Sequence, residues 1–317
     1  MFTKQPIMRK VLIALVPILL FGIWLYGLRV LYITVLSVAV CAVIEVFFEK
    51  KQGKKASEAV FVTALLYALS MPPLVPLWIV AVGAAFAVFM AKEVFGGFGR
   101  NIFNPAISGR IFVYVSFAGA MGKAFIPGGN FGALASDAVT AATPLVQMSS
   151  GTRFPLISLV TGLRNFLPGV GLQNTVAGGA IGESSVVLIM LALLFLVFTK
   201  TAQWRLIVST LAGAALLQSV LVLSRVPGVL PIESLLAGSL WFVAVFMATD
   251  PVSAPKKPGA QLIYGLLIGF CIVLIRNFSA FPEGTSFAVL IGNTCASLID
   301  KLAVQKSRVK IVSGAAK

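Results

Sequence analysis

Ten apolar runs, most of them near the length that crosses a bilayer, constrain this chain more than any other feature. A spanning helix needs about 20 predominantly apolar residues. The runs cover residues 10–27, Val30–Phe48, Ser57–Met71, Leu74–Ala91 and Ala106–Ala120, then Ser184–Phe198, Leu206–Leu223, Ile232–Ala248, Leu262–Ile275 and Ser286–Leu302. Of 317 residues, 59% are hydrophobic and only 11% charged, against about a quarter charged in a soluble domain. The expected fold class is therefore all-α and polytopic, with about ten transmembrane helices, five on each side of a long loop.

Charge supports this map. The net charge of +15 does not indicate nucleic acid, because the basic residues fall in short loops between apolar runs, as orientation signals do. With the N-terminus in the cytoplasm, the cytoplasmic loops and tails hold 18 Lys/Arg, among them Lys50, Lys51, Lys54, Lys55, Lys92 and Lys256. The other side holds six: Arg29, Lys123, Arg153, Arg164, Arg225 and Arg276. Both termini are then expected inside and the central loop outside. Histidine is absent, and Cys41, Cys271 and Cys295 each lie alone. No His-rich or Cys-x-x-Cys metal motif exists.

Prolines suggest a repeat. Pro72 and Pro105 bracket one run, and Pro251 and Pro282 bracket another in the second half. Starting on opposite sides of the membrane, these pairs predict a five-plus-five inverted repeat with broken helices near its centre. The expected divisions are 1–120 for the first membrane repeat, 121–182 for the extracytoplasmic loop, 183–303 for the second repeat and 304–317 for a basic cytoplasmic tail. The loop is not regular helix, since twelve of the 29 glycines fall between Gly119 and Gly182.

That loop carries Asp137-Ala138-Val139-Thr140-Ala141-Ala142-Thr143-Pro144. A loop threonine before proline ordinarily starts a turn. Attachment chemistry needs an exposed hydroxyl, and small neighbours, Ala141 and Ala142, leave room for a bulky donor at Thr143. Asp137 places a carboxylate nearby to assist deprotonation or hold a divalent ion. Elsewhere, Asn104 before Pro105 reads as a helix cap. The glycine-rich stretch Gly96–Asn104 reads as backbone lining a cavity, which is tolerated at membrane depth only when buried or wet. Arg110 offers a cation near this stretch, able to meet a carbonyl or phosphate oxygen of a ligand. Glu58, Glu183 and Glu233 read as charges at helix N-termini. Thr249 and Asp250, at the break after Ile232–Ala248, are candidates for an ion path.

The Asp-x-x-Thr-x-Ala-Thr pattern resembles a flavinylation motif in which FMN is esterified to the final threonine. Further marks are Gly99–Ala106, Ile181–Ser185, Phe246–Ser253 and Pro282–Ala288. Together they resemble the NqrB/RnfD family. It joins the D-type membrane component of the Rnf electron transport complex to the B-type component of the Na+-translocating NADH:quinone oxidoreductase. The chain length favours the Rnf branch. The resemblance implies a urea-transporter-like inverted repeat in a bacterial or archaeal cytoplasmic membrane. It implies covalent FMN on Thr143, with Thr140, Asp137 and Ala142 as motif neighbours, installed from FAD by a flavin transferase using Mg2+. It implies partners among the other membrane and flavin subunits of an Rnf complex, which couples electron flow between ferredoxin and NAD+ to Na+ or H+ transport. The quinone-reductase branch adds noncovalent riboflavin as an option. The alternative is a solute or ion transporter of the same fold with no redox role; a third option is an inert assembly scaffold.

Overall fold

The computed structural model describes residues 2–126, 143–149, 156–161, 179–225, 229–279 and 284–315, with side chains to residue 303. Helices dominate. A two-stranded parallel pairing, β1 (Phe2–Thr3) with β2 (Ala56–Ser57), ties the N-terminus to the loop after the second helix.

The first half contains α1 (Pro6–Tyr26), α2 (Arg29–Lys51), α3 (Ala59–Leu69), α4 (Leu77–Phe89), α5 (Pro105–Ser116) and the short α6 (Ala118–Gly122). Between the halves lie α7 (Pro144–Ser149) and α8 (Leu156–Thr161). The second half contains α9 (Val186–Phe198), α10 (Trp204–Leu223), α11 (Pro231–Leu236), α12 (Leu240–Phe242), a π-helical segment (Val243–Met247), α13 (Pro258–Phe278) and α14 (Thr285–Ala315). Among the described residues, six helices are long and apolar enough to cross a membrane: Pro6–Tyr26, Arg29–Lys51, Leu77–Phe95, Trp204–Leu223, Pro258–Phe278 and Thr285–Ala303. Their outer faces are apolar, with Val43, Phe47 and Leu223 among the most exposed side chains. This is the arrangement expected of lipid as the solvent.

Packing repeats in order. In the first half α2 lies against α3 and α4, and α4 against α5; in the second, α10 lies against the π segment and α13, and α13 against α14. The two halves meet through α1 on α9 and α5 on α14. The α10–α13 contact is close because Gly213 has no side chain: a Cβ there would sit 2.7 Å from the Leu266 carbonyl oxygen. Small residues at such crossings let helix backbones approach in a membrane, where van der Waals packing holds helices together.

Both short elements stop where proline follows. The α3 helix is 11 residues long and ends before Ser70-Met71-Pro72-Pro73. Its counterpart departs from the single run expected over Ile232–Ala248. It splits at Ala237-Gly238-Ser239, where Gly238 takes φ +70°, a conformation that suits glycine. It then finishes as one π-helical turn. Hydrophobicity alone does not register this break, because the apolar residues continue through it.

Candidate functional site

Met71, two residues past the end of α3, and Met247, at the end of the π segment, each have a carbonyl met from outside their own helix. Helix C-termini leave four carbonyls without intrahelical donors. The Met71 oxygen accepts from the Ile181 amide at 3.1 Å. The Met247 oxygen accepts from the Asn104 side-chain amide at 3.3 Å. Asn104 also caps α5: its Oδ1 accepts from the Ala106 and Ile107 amides, with Pro105 at the first helical position. Its own N–H donates to Asn293 Oδ1 in α14, and Asn293 in turn donates to the Tyr264 hydroxyl. The expected cap is thus present, and the same side chain joins the two halves.

Asn104, Thr249 and Asp250 line one cleft, together with Asn101, Lys92 and Thr63. Its water-accessible volume is ≈ 70 Å³. It opens between α1, α3 and the end of the π segment, at the end of the bundle where the N-terminus lies. Thr249 donates to the Val245 carbonyl at 2.6 Å, filling a backbone group left by the π turn. Asp250 accepts from Ser253 Oγ at 2.7 Å and the Val252 amide at 3.3 Å.

Arg110 stands six residues further along α5 from Asn104, about 9 Å at helical rise. Its guanidinium lies 3.6 Å from Glu183, and both side chains are buried. Glu183 therefore faces a cation, in addition to preceding α9. Glu58 stands at the N-cap position of α3, as expected, but its side chain turns elsewhere. Its carboxylate accepts from the Arg9 guanidinium at 2.5 and 2.9 Å and from the Gln5 amide at 2.8 Å, and caps nothing in α3. The Arg9 hydrogen bond, then the Gln5 bond, hold the Glu58 carboxyl down at about 2. Glu233 keeps its expected place in the first turn of α11, accepting from the Leu230 amide at 3.4 Å.

Thr143 belongs to a different region. It immediately precedes α7, and its carbonyl accepts from the Gln147 amide at 3.0 Å. Leu145 and Met148 of α7 pack with Leu159, Val229 and Ala237, beside α11. Thr143 is 8% exposed, and its hydroxyl oxygen is buried with no hydrogen-bond partner among the described residues, so the exposed hydroxyl expected of an acceptor is not found: the packing of α7 on α11 covers it. A threonine at this position ordinarily turns its hydroxyl onto the second or third helical amide; this one does not. Asp137, Thr140 and Ala142 lie outside the described residues.

One ionic element lies outside the sequence expectations. Lys92, a loop cation by charge pattern, is 2% exposed and ion-paired with Glu45, which is fully buried within α2. Glu45 also accepts from the Ser57 amide at 2.9 Å. A carboxylate in the middle of an apolar run is the available signal, since an intramembrane charge requires a partner.

The six long apolar helices among the described residues, two short elements that end before prolines and a buried Arg110–Glu183 pair between the halves define a polytopic membrane protein. Comparison with known proteins takes the assignment further. The profile of the NQR2, RnfD, RnfE family matches residues 2–308, and the chain belongs to this family. It is 37% identical over 268 residues to the B-type subunit of the Na(+)-translocating NADH-quinone reductase of Azotobacter vinelandii, covering 82% of this chain and 63% of that protein. The corresponding Klebsiella pneumoniae (strain 342) protein is also 37% identical, over 87% of this chain and 66% of its own length. The D-type subunit of the ion-translocating oxidoreductase complex of Aeromonas hydrophila is 34% identical, over 94% of this chain and 92% of its own. The chain thus spans just under two thirds of the quinone-reductase relatives.

Proposed function

We propose that this chain is a membrane subunit of an ion-translocating oxidoreductase of the Rnf type, that it carries FMN as a phosphoester on Thr143, and that it relays electrons in a ferredoxin:NAD+ reaction coupled to Na+ or H+ movement. The observation that carries the reading is the Asp137–Thr143 flavinylation pattern, together with a Thr143 hydroxyl that makes no cap hydrogen bond; because that oxygen is buried, attachment requires α7 to expose it. A hydroxyl already committed to capping α7 would be a poorer acceptor. The family membership and the near end-to-end match to the Aeromonas hydrophila protein support the choice of complex.

FMN bound at Thr143 supplies one- and two-electron transfer. Attachment joins Thr143 Oγ1 to the FMN phosphorus of FAD while the pyrophosphate bond breaks and AMP departs. The hydroxyl proton goes to a base, for which Asp137 is the nearest carboxylate in sequence. A flavin transferase would catalyse the transfer, using Mg2+. The α7 helix docks on the α8–α11 cluster and fixes the acceptor against the membrane domain. Arg110 would serve a flavin oxygen only in exchange for Glu183. Noncovalent riboflavin, which the quinone-reductase branch implies, is not placed: the Asn101–Asn104 cleft, at ≈ 70 Å³, is smaller than a tricyclic flavin, and the Asn104 and Thr249 side chains lining it already have partners. The ten-span inverted repeat, with both termini in the cytoplasm and Thr143 outside, is part of the same reading; it is supported by the repeated packing order and the charge asymmetry.

The test is in-gel flavin fluorescence after co-production with a flavin transferase. Wild type is expected to fluoresce after denaturation, Thr143→Ala to be dark, and Thr143→Ser to retain signal. A dark wild-type band contradicts the proposal. The second reading, a transporter without redox function, rests on the cleft between broken helices and on Asp250 within it. It requires solute or ion uptake by flavin-free protein in liposomes.

A further inference from the structure

On the lipid-facing side of α2 an apolar groove of ≈ 660 Å³ runs toward two lysines. Val43, Val46, Phe47 and Lys50 recur at helical spacing, so they form one stripe, with Lys51 beside its end and Phe2 of β1 closing one wall. Val43 and Phe47 are 68% and 62% exposed. From Val43 to Lys50 the helix rises about 10 Å, which matches the upper part of an acyl chain below its headgroup.

The charge at the lysine end is not balanced by neighbouring carboxylates. The two carboxylates of this part of α2, Glu45 and Glu49, are turned inward at 0% and 4% exposure. Neither Lys50 nor Lys51 takes part in the ion pairs Arg9–Glu58, Lys92–Glu45 and Arg110–Glu183. Lys54 and Lys55 follow within the same loop, giving four exposed ammonium groups in six residues. A groove lined by valine and phenylalanine, crowned by uncompensated cations and set at the end of a spanning helix, has the chemistry of an anionic lipid and not of an acidic peptide, which would leave the apolar wall uncovered.

We infer that this groove binds one anionic phospholipid, its acyl chain along Val43, Val46 and Phe47 and its phosphate between Lys50 and Lys51. Basic clusters immediately beside a transmembrane helix attract anionic headgroups, and each lysine adds to the attraction. The lysine stems lie along the apolar wall while their heads reach the phosphate.

Native mass spectrometry of the full-length protein in mild detergent tests this, with phosphatidylglycerol and phosphatidylcholine added separately. The expected result is retention of one phosphatidylglycerol at least tenfold above phosphatidylcholine. Lys50→Gln with Lys51→Gln abolishes the preference, and Val43→Trp, which fills the groove but leaves the lysines, lowers retention several-fold. Lys256→Gln with Lys257→Gln, an equal charge change elsewhere, leaves it unaltered. Absence of headgroup preference in wild type, or equal loss from both lysine pairs, overturns the proposal. So does loss of the lipid in the assembled complex, which would mean that a neighbouring protein occupies the groove. Size-exclusion profiles and helical circular dichroism verify that each variant is folded.

Discussion

The side-chain amide of Asn104 donates to the main-chain carbonyl of Met247, 143 residues away in sequence, and so joins the start of α5 to the end of the interrupted element of the second half. One residue caps the first helix and completes the end of the other element. The arrangement satisfies polar backbone where lipid offers no partner. It also makes the junction sensitive to single changes.

Replacing Asn104 with alanine removes the α5 cap and leaves the Met247 oxygen buried without its donor. The expected loss is about 2–4 kcal/mol, from a cap of about 1 kcal/mol and an orphaned buried acceptor of about 1–3 kcal/mol. Asn104→Asp keeps the cap but replaces the donor with an acceptor, so it is expected to recover only part of the loss. Thermal unfolding in detergent, followed by circular dichroism, distinguishes the three proteins.

The Glu45–Lys92 pair sets a second expectation. Each partner is fully enclosed, so removing one leaves the other charge without compensation. Lys92→Met is expected to destabilise the protein by about 3–5 kcal/mol, whereas the double change Glu45→Gln with Lys92→Met costs less than Lys92→Met alone. A double-mutant cycle of unfolding free energies measures the coupling. Additive losses would mean that the two residues act separately.

The fold is legible in the sequence where local chemistry dictates it, and obscure where a distant partner does. Asn104-Pro105 spells a helix start by residue type alone, and Pro72-Pro73 spells a stop; both stand where expected. Glu58 reads equally well as a helix-terminus charge, and only the fold brings Arg9 to it from 49 positions away. Lys92 reads as a loop cation for the same reason, because its partner lies 47 positions earlier. The Gly238 break hides inside an unbroken apolar run, since hydropathy records what a residue prefers and not what φ it adopts. At the candidate site, the motif identifies Thr143, while the state of its hydroxyl is visible only once α7 is folded against α11.

Acid is expected to loosen the N-terminal end of the bundle. The folded Glu58 carboxyl sits at about 2, below its ordinary 4.5, chiefly because Arg9 donates to it. A depressed carboxyl stabilises the fold fully above the unfolded value. That contribution declines as pH falls from about 4.5 toward about 2. Glu58→Gln should lack this component, so its melting temperature should fall less than that of wild type across the same pH range. Parallel curves would remove Glu58 as the cause.

The most direct test of the central claim is the intact mass of the protein made together with a flavin transferase, followed by peptide mapping across residues 131–153. The account predicts an added FMN phosphoester mass on the peptide containing Thr143, present in wild type and Thr143→Ser and absent from Thr143→Ala. An unmodified Thr143 peptide under those conditions would contradict it and shift attention to transport through the cleft at Asp250.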